Sequence, residues 1–348
     1  MIVLHVGLRK AGSTTIQNFL SSNEEGLRRL SIEYPRIGRL KRPDHNNLAN
    51  EIRGHRNFDP HFGTLDALAK YWKASSCDTL LISGESFEEC TTKQALSLRE
   101  KIDRGGDDFR IILILRDLLD LTISSYGQKI KFGNNRYNFD TFFAERFEQR
   151  RVNYARTAKL WADAFGWDSM RIRILDRRYL VNGDLLDDFM TAMGLDTNSE
   201  GVRELSRSGP VNQSPGWRVV EAIRALYTGT SGLPTDHPLT DCKHFSDRQR
   251  KALGANAMDL GRDLGWNKDR GNYLTQEQAE ICLATHTASI RKLNNFLAEP
   301  LPPPETLEAR GFVGREKLLD AKAIPENELR DFYDRLGAMP LTPREGVF

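Results

Sequence analysis

The sequence predicts an α/β fold: a parallel sheet flanked by helices on both faces, followed by a mainly helical C-terminal part. Two observations predict it. Short apolar runs of strand length recur up to Leu175, and stretches of helical periodicity separate them. The first run also leads through a glycine-bearing loop straight into a helical pattern. Alternating strands and helices mean parallel strands joined by helical crossovers and covered on both faces.

The first strand is Ile2–Val6. After the loop from Gly7 to Thr15, Ile16, Phe19, Leu20, Leu27 and Leu30 mark one face of a helical segment. A second strand is expected at Ile32–Tyr34 and an amphipathic stretch at Phe62–Trp72. The third strand is Thr79–Ser83, followed by a helical pattern at Lys93–Ile102. The fourth, Arg110–Leu115, belongs to a continuous apolar run and ends at Arg116-Asp117, where Asp117 suits the cap of the next helix. From Asn153 the pattern gives a helix with Leu160, Trp161 and Phe165 on one face. A strand at Met170–Leu175 and a helix ending near Gly194 follow. Residues 229–272 are rich in Gly, Asp, Lys and Arg and are expected to form a helical insertion or lid. The prolines from Pro300 to Pro304 end the preceding helix. One domain is expected over residues 1–300, with a charged tail over 301–348 that carries a short helix near Glu326–Leu336.

Composition narrows the function. The 348 residues are enough for a large core, and 50 basic against 48 acidic side chains give a net charge of +2. That balance excludes a broad nucleic-acid or membrane-binding surface, though not a local basic pocket. The four cysteines are scattered with no C-x-x-C, which reads as reduced thiols in a cytoplasmic protein. The seven histidines show no metal-ligand spacing, so no metal is expected. The chain opens on a strand rather than a leader, and no apolar run reaches transmembrane length. A homodimer is the default oligomeric expectation.

Strand, glycine loop and helix together form the geometry that cradles a phosphate. Backbone N–H groups at a helix start face the anion, and the helix dipole favours its charge. Lys10 adds a cation; Ser13, Thr14 and Thr15 add hydroxyls; Gly12 lets the backbone approach closely. A mononucleotide loop reads G-x-x-x-x-G-K-[ST]. Gly7 and Gly12 match it, but Ser13 stands where the lysine belongs, and Lys10 lies two residues before Gly12.

The order Lys10-Ala11-Gly12-Ser13-Thr14 resembles the 5′-phosphosulfate loop of the sulfotransferases that use PAPS (3′-phosphoadenosine 5′-phosphosulfate). Arg116, with Ser124 eight residues on in RDLLDLTISSYGQ, resembles that family's second motif, although Leu118 stands where the family often has proline. The resemblance extends at pattern level over about residues 1–300, including Asn212-Gln213-Ser214-Pro215 and the stretch Ser289–Asn294, and is nearest to bacterial carbohydrate-type members. It implies a P-loop-like sheet and PAPS as co-substrate, with no metal and adenosine 3′,5′-bisphosphate as product. The acceptor would be a hydroxyl on a carbohydrate or glycolipid. Arg9, Lys10, Ala11, Gly12, Ser13, Thr14 and Thr15 would line the donor site. Arg116 and Ser124 would hold the 3′-phosphate, and Arg207, in Arg207-Ser208-Gly209-Pro210, would close over it.

Lys10 is the candidate cation for the sulfuryl and bridging oxygens. Glu85, two residues past the third strand, is the candidate general base, at the place where cytosolic members of the family it resembles have histidine. His45, in Asp44-His45-Asn46-Asn47, is the alternative base. Two other readings stay open. One is a P-loop nucleotide kinase or NTPase, for which Asp117 would serve as the aspartate after a hydrophobic strand. The other is a non-catalytic binding protein of sulfotransferase-like build.

Overall fold

Five strands form one all-parallel sheet: β1 (Ile2–His5), β2 (Ile32–Glu33), β3 (Thr79–Ser83), β4 (Phe109–Leu115) and β5 (Met170–Ile174), in the order β2-β3-β1-β4-β5. The computed structural model describes residues 1–40, 42–148, 153–207 and 215–342. Every residue of β1 and β3 is buried, as is every residue of β4 except Arg110. Strands covered on both faces read as such continuous apolar runs, which is why these were legible in sequence.

Register sets the level of the loops. Ile2 lies opposite Leu80 and Phe109, and His5 lies opposite Ser83 and Ile112. β1 and β3 therefore end side by side, while β4 continues to Leu115. The chain leaves β1 for the far edge at β2, returns to β3, then crosses β1 to reach β4 and β5. The connections leaving β1 and β4 run in opposite directions. Such a reversal opens a crevice outside the carboxyl ends of the strands, where ligands of parallel sheets sit.

The chain falls into two compact units. The sheet unit comprises Met1–Asp117, Asn153–Asn212 and Thr285–Pro304. Its helices bury the faces that the sequence marks: Leu65, Leu68 and Trp72 of Leu65–Ala74, Ala95, Leu98 and Ile102 of Thr92–Ile102, and Trp161 and Phe165 of Tyr154–Phe165. Side chains cap these helices. Thr64 accepts from the Ala67 N–H, Thr91 and Gln94 form a capping box, and Asn153 accepts from the Arg156 N–H.

The second unit comprises Leu118–Val152, Gln213–Ala284 and Glu305–Phe348, and its described residues hold helices but no strand. An aromatic cluster of Tyr126, Phe139, Phe142 and Tyr273 lies in its core. Buried Glu221 accepts from the Tyr126 hydroxyl (3.1 Å) and from Arg224 Nε (2.6 Å), so its charge is paired. Within residues 229–272 the expected helix appears as Asp247–Asp263, opened by a Ser246–Gln249 capping box.

The observed division does not fall at residue 300: residues 1–300 contribute to both units, and Glu305–Phe348 belongs to the second. The Glu326–Gly337 helix buries Phe332, Tyr333 and Leu336; the Tyr333 hydroxyl donates to the Ala222 carbonyl (3.0 Å), and Phe332 stacks on Trp266. Its abundant charges lie on the other face, which made the segment read as a tail. Among the described residues no helix is long and apolar enough to cross a membrane.

Candidate functional site

The loop after β1 is built from left-handed residues. Gly7 has φ 101°, Gly12 has φ 84°, and Lys10 between them has φ 67°. Non-glycine residues are uncommon there, and such positions cluster at functional sites. The Leu8 carbonyl closes the loop by accepting from the Ala11 N–H (3.3 Å) and the Ser13 hydroxyl (3.2 Å). A β-carbon on Gly12 would come within 2.4 Å of Leu185 Cδ2, so only glycine fits there without repacking the Leu185–Met193 helix.

The Ser13–Ser22 helix starts from Gly12 with no side-chain cap and no acidic residue in its first turn. No carboxylate of its own first turn therefore offsets its N-terminal dipole. The three hydroxyls diverge in use. Ser13 is buried as an internal strut on Leu8, Thr15 is half-buried, and Thr14 is exposed; Ala11 is buried.

The end of β4 meets this loop. Arg116 Nη1 donates to the Lys10 carbonyl (2.8 Å), and the Arg116 carbonyl accepts from the Tyr154 hydroxyl. Thus a guanidinium at one side of the crevice holds the left-handed turn at the other. Next to it, Asp117 Oδ2 lies 3.5 Å from Nδ1 of buried His286. Ser124 belongs to the second unit, where it is buried in the Leu118–Lys131 helix.

The end of β3 carries the candidate base. Glu85 is half-buried and opens a short 3-10 turn, Glu85–Glu89. A β-carbon on Gly7 would lie 3.4 Å from both the Cα and the carbonyl oxygen of Glu85, so the two loops run in contact. The Asn46 amide oxygen accepts from the Ser86 N–H (2.8 Å) and ties the turn to the loop after β2.

His45 is corrected as a base. The Ser83 N–H donates to its Nδ1 (3.1 Å), which leaves Nε2 to donate to the Pro35 carbonyl (2.9 Å). The ring is fully buried, and that burial pushes its pKa down to about 3. With both nitrogens engaged by main chain, His45 pins two loops together and has no route to a substrate proton.

The outlying basic residues are also engaged. The Arg9 N–H donates to Glu88 Oε2 (2.9 Å), and its guanidinium pairs with Glu88 (3.0 Å) and Glu89, so Arg9 braces the Glu85–Glu89 turn. Burial pushes the Glu88 carboxyl upward, an effect that Arg9 opposes. Arg207 pairs with Asp187 and Asp184 at the start of the Leu185–Met193 helix, the helix that abuts Gly12. Ser208, Gly209, Pro210, Asn212, Gln213 and Ser214 lie outside the described residues.

Three residues not expected from the sequence support the site from below. The Ser83 hydroxyl lies 2.8 Å from His5 Nδ1 and accepts from Gln17 Nε2 (3.3 Å). This joins the last residues of β1 and β3 to the second turn of the Ser13–Ser22 helix. The only signal in the sequence is His5 itself, a titratable residue inside an apolar strand. Burial lowers its pKa to about 4.

His5 and His45 predict a pH dependence of stability. Unfolded histidine titrates near about 6.5, whereas these rings stay neutral in the fold down to about 4 and about 3. Their folded pKa values are depressed, so the stabilisation is complete above the unfolded pKa and is lost as pH falls toward the folded values. Each ring contributes a slope of up to about 1.4 kcal/mol per pH unit in that window. Thermal unfolding measured at successive pH values is expected to give a Tm that drops once pH falls below about 6.5. A flat Tm from there to about pH 5 would mean that both rings charge normally in the fold.

Among the described residues no group of three or more His, Cys, Asp or Glu is placed to hold a metal ion. Comparison of the chain with protein-family models, with curated proteins and with solved structures finds no match.

Proposed function

We propose that the chain is a PAPS-dependent sulfotransferase that moves a sulfuryl group to an acceptor hydroxyl on a carbohydrate or glycolipid. The observation that carries this reading is the bond from Arg116 to the Lys10 carbonyl at the strand-order reversal of a parallel sheet. It joins the two segments that resemble the family's phosphate motifs. In this reading the loop is P-loop-like, with Lys10 displaced from the kinase position.

The roles follow from the chemistry. The start of the Ser13–Ser22 helix, with Thr14 and Thr15, receives the 5′-phosphate. Arg116 serves the 3′-phosphate, for which a guanidinium fork is well shaped. The acceptor oxygen attacks sulfur in line. Its O–S bond forms as the bond from sulfur to the 5′-phosphate oxygen breaks, and Glu85 takes the hydroxyl proton. Adenosine 3′,5′-bisphosphate departs with the bonding electrons. Lys10 balances the charge that gathers on the sulfuryl and bridging oxygens, so catalysis is positioning plus electrostatics.

Calorimetric titration with adenosine 3′,5′-bisphosphate and with ADP, each with and without magnesium, tests the donor. The bisphosphate is expected to bind at least about tenfold tighter, a difference of about 1.4 kcal/mol, and without need of magnesium. Preference for ADP, or a strict magnesium requirement, would return the chain to the nucleotide kinases.

A further inference from the structure

A cleft of about 550 Å³ opens beside the Ser13–Ser22 helix, within the sheet unit and away from the phosphate loop. Asn18 and Ser22 line it from the helix, and Arg36, Arg39 and Arg42 line it from the segment after β2. Glu24 is the one acidic residue in the lining, against three arginines.

The arginines differ in how firmly they are held. Arg39 is almost fully buried: its guanidinium lies over the Tyr34 ring (3.9 Å to the centroid), and Nη1 donates to Glu24 (2.7 Å). Its buried Nε has no hydrogen-bond partner among the described residues, an arrangement that calls for an explanation in a native fold. Arg36 touches Glu24 through Nε (3.0 Å) but is 84% exposed, and Arg42 is exposed. The Tyr34 hydroxyl donates to the Pro43 carbonyl and fixes the wall before any ligand arrives.

Two links lead from this cleft to the proposed chemistry. Along the helix, Thr14, Asn18, Ser21 and Ser22 recur at the spacing of one face and form a polar track from the phosphate loop to the cleft. It spans about 12 Å at 1.5 Å per residue. On the opposite wall Arg42 and Pro43 run into Asp44, His45 and Asn46, and Asn46 holds the N–H of Ser86, next to Glu85. A glycan with its reacting hydroxyl at Glu85 would lay its next units along that track.

We propose that the arginine cleft binds an anionic group (a carboxylate, sulfate or phosphate monoester) carried by the acceptor saccharide, so that the chain acts on acidic rather than neutral glycans. This rests on the sulfotransferase reading. Guanidinium forks match the oxygens of such anions, and the lining sets one carboxylate, Glu24, against three arginines, an excess of positive charge that an anionic group offsets and a neutral sugar does not.

The test is calorimetry with two matched pairs of probes, trigalacturonate against a neutral galactose trisaccharide and maltotriose 6-sulfate against maltotriose. Inorganic sulfate is the free-anion control. The wild-type chain and an Arg36→Ala/Arg42→Ala variant are compared, both changes being at exposed positions. At least one acidic probe is expected to bind tenfold or more tighter than its neutral partner. The variant is expected to lose that preference while its affinity for adenosine 3′,5′-bisphosphate is unchanged. Equal binding within both pairs, or a variant that keeps the preference, would overturn the proposal. Inorganic sulfate binding as tightly as the acidic sugars would also overturn it, making the cleft a site for free anions. Failure of the bisphosphate to bind the wild-type chain would remove the donor, and the acceptor role with it, whatever the cleft binds.

Discussion

Replacing Lys10 by alanine is expected to lower turnover about 10²- to 10³-fold, the scale seen when one preorganised charge-stabilising group is removed. Binding of adenosine 3′,5′-bisphosphate is expected to survive in part. The reason lies in how the residue is held. What fixes the loop at Lys10 is its backbone: φ is 67°, and its carbonyl accepts from Arg116 (2.8 Å). Alanine accepts that backbone at no greater cost than lysine, so the change removes the ammonium and leaves the turn. Transfer from radiolabelled PAPS, measured beside calorimetry with the product nucleotide, separates the two effects. Unchanged turnover would take Lys10 out of the chemistry; loss of both would make it a binding residue.

The Glu85→Gln variant keeps the shape of the side chain and removes its capacity to accept a proton. Turnover is expected to fall about 10²- to 10⁴-fold, the usual contribution of a general base, with donor affinity unchanged. The basic limb of the rate profile is not diagnostic here. The acidic limb is, because it reports protonation of the base and should disappear from the residual activity. Near-normal turnover would take the proton-accepting role away from Glu85. Asp44 is buried beside Glu85, and burial pushes its carboxyl above the usual aspartate range, with the charge of Glu85 adding to the effect. His45 is not a substitute, since both of its nitrogens are engaged by main-chain groups.

The sheet was largely legible in sequence because its strands are buried on both faces. Thr79–Ser83 was expected and is observed, and β1, β4 and β5 differ from their expected bounds by one residue at one end. β2 contributes only Ile32 and Glu33, since Tyr34 already turns into the segment that its own ring and hydroxyl organise. Periodicity says nothing of strand order, yet strand order is what brings Arg116 to Lys10 and Glu85 to Gly7. The same limit hides the Ser83 network. Ser83 matters because register sets it opposite His5, and a serine closing an apolar run carries no mark of that. Arg9 and Arg207 read from sequence as cations for a ligand, because their carboxylate partners are distant in the chain or lie on a turn whose direction spacing does not reveal.

The sheet unit takes its last piece, Thr285–Pro304, from far beyond the rest of its sequence, and the second unit is likewise assembled from three stretches. A nascent chain released from the ribosome as far as residue 284 lacks His286, which lies beside Asp117, and Phe296, which stacks on Trp167. Neither unit exists as one continuous stretch of polypeptide, so neither can be excised by trimming an end. The sheet unit is not complete until residue 304 has been synthesised, and contacts this distant in sequence slow folding.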